Sequence, residues 1–254
     1  MDRELQHFSA SSMDTISSTA AAGIRARMES LDLLANNLAN SGTPGYKADR
    51  EAYRLYSGVE SSLEMSSSPV IESHVTDFSQ GPIGATANPG DLAISGDGFL
   101  AVDGPRGILL TRNGKLNVAH DGKLVTPEGF EVVTIEPRRI RLNPLMPFEV
   151  ALDGGVTQDG VLVGHLRIAE GQSGVQPAKQ AGAYFQLDNS QIRNVSAERY
   201  QIRQGHLEGS NFSPAEASVK LIGVLRQFET LQRAMQLGGE MGRKAVEDVA
   251  RVTP

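Results

Sequence analysis

The chain contains no cysteine and no tryptophan, and aromatic residues make up only 5% of its 254 residues. Without cysteine it cannot form disulfides, thiolate zinc sites or iron–sulfur clusters, and it has no cysteine nucleophile. No apolar run approaches the roughly 18 residues that cross a bilayer. The first twelve residues lack the apolar core of a secretory signal. The sequence therefore predicts a chain with no membrane span that would leave the cytoplasm without a cleaved signal peptide.

The sequence also lacks a concentrated basic region and recognisable catalytic motifs. The net charge is −6, and Lys and Arg are nowhere concentrated enough to follow a phosphate backbone, so no nucleic-acid partner is expected. The five His are scattered without an HExxH pattern, and no GxSxG nucleophile motif occurs. We expect no enzyme activity, no catalytic residue, no metal, no cofactor and no small-molecule substrate.

The N-terminal part has the apolar spacing of a coiled coil. Ile24, Leu31 and Leu38 recur every seven residues, and Met28 and Ala35 each lie three residues before one of them. This predicts a helix from about residue 14 to residue 40 with one apolar seam. The following Gly and Pro residues at 42–45 would end it.

The C-terminal part repeats this design. Ser213, Pro214 and Glu216 form a capping-box start with proline at the first helical position. The apolar residues that follow alternate spacings of three and four and form a second seam: Leu221, Val224, Phe228, Leu231 and Met235. Isolated helices of this length are marginal in water, so each seam needs a partner.

Between the helices, short apolar runs, among them residues 107–111, 124–125 and 163–168, alternate with Gly-containing turns such as Asn113-Gly114 and Asp121-Gly122. This is typical of antiparallel β structure. The expected fold class is α+β, with heptad helices at both ends pairing as a coiled coil around a central, mostly antiparallel all-β domain. The expected segments are an extension (1–12), an N-terminal helix (13–45), a linker or extended arm (46–84), the β domain (85–205), and a C-terminal helix with its lead-in (206–254).

The end of the first helix is unusual because it carries three Asn residues, which disfavour helix. Residues 34–47 read LANNLANSGTPGYK. Capping accounts for Asn40 but not for Asn36 and Asn37. We therefore expect the three Asn side chains to bind backbone groups of an adjacent segment once the helix is packed in an assembly.

This segment and two others resemble the flagellar basal-body rod and hook proteins. The N-terminal signature of that family is similar to residues 35–47. The family's β segment and hairpins resemble residues 91–102 (DLAISGDGFLAV), 110–116 (LTRNGKL) and 122–125 (GKLV). The element that precedes the family's last helix resembles residues 205–211 (GHLEGSN).

The resemblance implies a non-enzymatic axial subunit of the periplasmic rod. Such a subunit passes through the flagellar type III export apparatus, assembles helically with rod subunits of its own and neighbouring types, and transmits torque. The expected assembly residues are Ile24, Met28, Leu31, Ala35, Asn36, Asn37, Leu38, Asn40, Gly45, Leu207, Glu208, Ser210, Asn211, Leu221, Val224, Phe228, Leu231 and Met235.

The length leaves no room for the extra outer domains of hook proteins, and this favours a rod protein. Residues 163–187 lack the Asn-Pro-x-Gly-Leu element of the distal-rod pattern. The chain therefore looks most like the proximal-rod type. A distal-rod or hook-type subunit, or a non-flagellar β-module that oligomerises through its helices, are the alternatives.

Overall fold

The computed structural model describes residue 21 and residues 23–54, 70–172 and 175–252. The expected extension over residues 1–12 and the serine-rich stretch over 57–68 lie outside these ranges. The chain divides into two compact units. One is the helical unit, made of residues 1–38, 49–75 and 214–254, and the other is the β unit, made of residues 39–48 and 76–213.

The β unit consists of short strands. In chain order they are β3 (Ile83–Ala85), β4 (Leu92–Gly96), β5 (Phe99–Gly104), β6 (Gly107–Thr111), β7 (Asn117–Val118), β8 (Leu124–Val125), β9 (Glu131–Val132), β10 (Glu149–Val150), β11 (Gly155–Gln158), β12 (Val161–His165), β13 (Ile168–Gly171), β14 (Ala178–Ala181), β15 (Tyr184–Gln186), β16 (Ile192–Asn194), β17 (Tyr200–Gln204) and β18 (His206–Glu208). They are preceded by β1 (Asp49–Arg54) and β2 (Val70–Thr76), which pair with each other.

The strands of the β unit pair antiparallel, which confirms the expected topology class. The largest sheet has the order β14-β15-β6-β5-β9-β8-β7, and β13 joins it by pairing with both β5 and β16. A three-stranded sheet has the order β10-β11-β12, and β4 and β3 pair with β17 and β18. The last two pairings join the start of the β unit to its end.

Two clusters of buried side chains form the core of the β unit. The larger contains Leu92, Leu116, Leu166 and Ile202, each at most 3% exposed. The smaller is centred on Phe185, whose ring centroid lies 5.6 Å from that of Phe99 and 5.2 Å from that of Phe78. Burial of these side chains is what stabilises a domain built from strands this short.

The apolar runs of the sequence coincide with most of the strands between β4 and β17, within a few residues at their ends, but one run is divided between two strands. The runs Gly107–Thr111 and Leu124–Val125 are strands over the same residues, whereas the run 163–168 is divided between β12 and β13. The break occurs because the chain changes sheets there: the Leu166 amide donates to Gly154 O and the Arg167 amide to Val133 O. Strands β11, β14 and β16 were not anticipated. For β14 the reason is that its sequence, AKQA, has no apolar alternation.

Helices occur at both ends, as expected. Residues 23–39 form α1, and α2 runs from Pro214 to Val252 without interruption at its four glycines. With 39 residues, α2 is about 58 Å long. In the part of the chain that the structure describes, no helix combines the length and apolarity that a membrane span requires.

The two helices contact each other within the helical unit. A methyl group at Gly23 would lie 3.3 Å from Leu231 Cδ1. On α2 the half-buried residues include Leu221, Val224 and Phe228 of the expected seam. On α1, Ile24 and Leu31 are half-buried, whereas Met28 is 54% and Leu38 39% exposed. Coiled-coil pairing of the seams stays a prediction.

Replacement of Gly114 by alanine tests how closely β4 approaches the hairpin after β6. A Cβ at this position would lie 1.6 Å from Leu92 O, so the backbone must shift. We expect a loss of about 3 kcal/mol or more in the free energy of unfolding. Urea unfolding followed by tyrosine fluorescence measures it, because the chain has 5 Tyr and no Trp.

The matched control is Gly84→Ala in β3, where nothing lies within 4 Å of the added methyl group. Its stability should stay within about 0.5 kcal/mol of that of the unaltered chain. Equal losses in the two variants would refute the close approach.

Candidate functional site

The three sequence motifs meet at one place in the β unit. We call residues 45–48, 77–81, 112–114 and 208–211 the motif junction. The amide of Gly45 donates to Glu208 O (2.7 Å), and the amide of Asn211 to Tyr46 O (3.4 Å). Gly45 has φ +69°, and a Cβ there would lie 2.2 Å from the Arg112 carbonyl carbon. Only glycine adopts this positive φ without strain and also leaves room for the backbone of Arg112.

The carboxylate of Glu208 is the centre of the motif junction. Its side chain is fully buried, and both of its oxygens accept hydrogen bonds. Oε1 accepts from Lys47 Nζ at 2.6 Å and from the Gly81 amide at 2.9 Å. Oε2 accepts from Arg112 Nη1 at 3.1 Å. A carboxylate with both oxygens occupied in a closed core is not available to a substrate, so the geometry is that of a structural ion pair.

Lys47 is buried together with its partner. Its ammonium also donates to Ser79 O at 2.6 Å. Burial lowers the pKa of Lys47, and the hydrogen bond to Glu208 and the nearby charge of Asp77 oppose that shift. The Coulomb attraction and the two hydrogen bonds therefore have to offset the desolvation of the charge.

Arg112 supplies the second cation. Its guanidinium donates from Nη1 to Ile94 O at 3.1 Å and from Nη2 to Gly96 O at 2.7 Å, and it lies 5.3 Å from the centroid of the Phe99 ring. These contacts fasten the TRNG hairpin to β4. Glu208 thus connects the N-terminal segment, the central strands and the lead-in to α2.

Asn211 makes a second set of connections beside the ion pair. Its Oδ1 accepts from the Ala48 amide at 2.8 Å, and its Nδ2 donates to Asp77 O at 2.7 Å. The amide of Asp77 in turn donates to Ala48 O. One side chain therefore bridges the two segments by which the chain leaves and re-enters the β unit.

Lys179 extends the motif junction to β14. Its Nζ donates to Lys47 O at 2.8 Å and lies 4.0 Å from the centroid of the Tyr46 ring, a cation–π contact. Sequence reasoning missed this residue because its strand was not recognised. Lys47 and Arg112 lie inside the sequence motifs, but no role was predicted for them. A charged residue among glycines and apolar residues is nevertheless a sequence signal of a buried ion pair.

The side chain of Asn37 is hydrogen-bonded to backbone within the helical unit. Its Nδ2 donates to Asp49 O at 2.8 Å, and its Oδ1 accepts from the Asp49 amide at 3.1 Å. The side chain thus binds the backbone of an adjacent segment, here within the same chain. Asn36 is exposed. The roles of Asn36 and Asn40 in an assembly stay predictions.

The expected assembly residues therefore fall into two groups. Gly45, Glu208 and Asn211 are brought together in the motif junction, where Ser210 is also buried and Leu207 half-buried. The apolar residues of the two seams lie on α1 and α2 in the helical unit. Among the described residues, no group of three or more His, Asp or Glu side chains is arranged to hold a metal ion.

Comparison with known proteins agrees with this architecture. The family described as "Flagellar hook protein FlgE/F/G D1 domain" matches residues 93–164, which lie in the β unit. The family described as "Flagellar basal body rod FlgEFG protein C-terminal" matches residues 203–247, which include part of the motif junction and most of α2. Both matches are to proteins of the flagellar hook and basal-body rod.

Similarity to individual relatives extends over most of the chain. It is 33% identical to the flagellar basal-body rod protein FlgF of Caulobacter vibrioides, over 87% of this chain and 92% of that protein. It is 27% identical to FlgF of Salmonella typhimurium (85% and 91%) and 27% identical to the rod protein FlgG of Borreliella burgdorferi (88% and 94%). The chain belongs to the flagellar basal-body rod protein family. It is a structural subunit of the rod, and its family implies a non-enzymatic role at the basal body.

Replacement of Glu208 by glutamine tests the motif junction. The change leaves Lys47 and Arg112 buried without their anion, and breaking a buried ion pair from one side destabilises by about 3–5 kcal/mol. We expect that loss in the free energy of unfolding, measured by urea denaturation. Glu198→Gln, at an exposed position, is the matched control and should change it by less than about 0.5 kcal/mol. A Glu208→Gln chain as stable as the control would show that the ion pair does not stabilise the fold.

Proposed function

We propose that this rod subunit assembles through its terminal helices, while the β unit folds without needing a neighbour. The observation that carries the proposal is the series of large apolar side chains that α2 keeps in solvent, including Val219 (72% exposed), Leu237 (61%) and Met241 (61%). The β unit has two closed apolar clusters of its own, although some apolar side chains outside them are also exposed. Helices with this much exposed apolar surface are typical of elements that are completed by partners.

The motif junction lies next to the points where the chain passes between the two units. The chain passes between the units at residues 38–39, 48–49, 75–76 and 213–214. Next to these passages, Ala48, Asp77 and Asn211 are hydrogen-bonded to one another, and Lys47 binds Glu208. A force on either helix is then delivered to the same buried ion pair, and this arrangement suits a subunit that transmits torque.

The finer assignments are also proposals. Export through the flagellar type III apparatus, a periplasmic position, coiled-coil pairing of the seams and contact with neighbouring rod subunits follow from the family resemblance. The proximal position is supported by the missing Asn-Pro-x-Gly-Leu element; a distal-rod position is the alternative.

The test is a pair of substitutions on the exposed side of α2, Val219→Asp with Leu237→Asp, in full-length protein produced in the source bacterium after its own copy of the gene has been deleted. Burial of each apolar side chain contributes about 1.5–3 kcal/mol, so the amount of chain in purified basal bodies should fall more than about tenfold, and motility should be lost. Tyrosine fluorescence should show that the β unit is still folded.

The control pair is Leu145→Asp with Leu152→Asp, at positions of the β unit that are 93% and 61% exposed. It should leave incorporation and motility intact. Loss of incorporation in the control but not in the α2 variant would indicate assembly through the β unit and contradict the proposal.

A further inference from the structure

Arg112 has a hydrogen-bond donor that the contacts of the motif junction do not use. Its Nη1 donates to Ile94 O and to Glu208 Oε2, and its Nη2 donates to Gly96 O. Its Nε is buried and has no acceptor among the described residues. A guanidinium carries only donors and keeps its charge in a protein, so this N–H group cannot be silenced by deprotonation. A buried donor that stays unpaired destabilises the folded state.

A small cavity lies beside this arginine inside the β unit. Its volume is about 10 Å³, which is room for one water molecule. Arg112 and Gly114 line it together with aliphatic side chains that include Leu100, Leu166 and Ile202, each at most 3% exposed. These three belong to the larger apolar cluster. A donor that needs an acceptor and a space of the size of water therefore occur at the same place in the core.

The charges next to the cavity decide which kind of ligand suits it. Lys47 and Arg112 both contact the carboxylate of Glu208, so two buried cations share one anion there. An electronegative atom facing Arg112 is favourable in this surrounding, whereas a cation or an apolar group leaves Nε unpaired. A chloride ion is larger than water and would lose its hydration among leucine and isoleucine side chains. Water combines the required size with a lone pair.

We propose that this cavity binds one water molecule, whose oxygen accepts a hydrogen bond from Arg112 Nε. The carbonyl of Leu92 accepts one of the protons of the water. This carbonyl is directed at Gly114, since a Cβ there would lie 1.6 Å from Leu92 O, and Leu92 and Gly114 both line the cavity. With the water bound, every guanidinium nitrogen of Arg112 has a hydrogen-bond partner, and the water is an additional link between Arg112 and β4.

Nuclear magnetic resonance on the isotope-labelled full-length chain tests the site. The signal of the Arg112 Nε proton is assigned through bonds from the carbons of its own side chain, so the assignment requires no substitution. This proton should exchange slowly with the solvent and should show a cross-peak to water. The cross-peak should have opposite signs in laboratory-frame and rotating-frame Overhauser spectra, because that sign change marks a water molecule held in place and proton exchange does not produce it.

Arg167 is the matched control within the same chain. Its Nε donates to Asn194 Oδ1 at 2.7 Å, and this hydrogen bond is exposed. The Nε proton of Arg167 should therefore exchange with the solvent and show no cross-peak to a held water molecule.

Any of three results would overturn the proposal. The Arg112 Nε proton could be visible without a cross-peak to a held water molecule, which would mean that the cavity is dry. It could exchange as fast as that of Arg167, which would mean that the cavity is open to solvent. Its signal could move when gluconate replaces chloride in the buffer, which would identify a halide as the occupant.

Discussion

The β unit depends on one buried carboxylate. Glu208 is the only anion in direct contact with two buried cations among the described residues, and its partners come from segments far apart in the sequence. A buried ion pair of this kind is not a large net source of stability, because desolvation opposes the attraction. Its effect is specificity: any other arrangement of Lys47, Arg112 and Glu208 leaves a buried charge unpaired. The first and last segments of the β unit must therefore meet before the fold is complete.

Close backbone approaches make that meeting possible. Gly45 packs on the backbone of Arg112, Gly81 on the carbonyl of Gly209, and Gly114 on the carbonyl of Leu92. A side chain at positions 45, 81 or 114 would hold the segments apart and lengthen the hydrogen bonds to Glu208. The high glycine content of the chain thus has a second use besides turns, which is to let strands and loops touch where the charges have to be enclosed.

The two units differ in how much of their apolar surface and charge they bury. The β unit encloses two apolar clusters and the charges around Glu208, with Leu145 and Leu152 exposed outside them, whereas the helical unit leaves Val219, Leu237 and Met28 in solvent. A subunit that must assemble with copies of itself benefits from this division, because the folded unit keeps its shape while the helices retain surface for neighbours. In the function proposed above, the motif junction supplies rigidity and the helices supply contacts with neighbours.

Much of the fold followed from local pattern. Glycine turns placed β5 and β6, Pro214 placed the start of α2, and the spacing of Leu221, Val224 and Phe228 gave its half-buried face, because turn geometry and helical periodicity are properties of neighbouring residues. The motif residues Gly45, Glu208 and Asn211 were also recognisable from the sequence. Strand β14 was not, because its residues have no alternation and its pairing with β15 depends on the sheet already being formed.

The sequence by itself therefore determined the fold class, the family and the segments that matter. Only the tertiary structure decided that Lys47, Arg112, Lys179 and Glu208 belong to one cluster and that Asn37 binds its own chain. The physical reason is distance: Lys47 and Glu208 are separated by 161 residues in the sequence, and no local preference records which cation a buried carboxylate will meet.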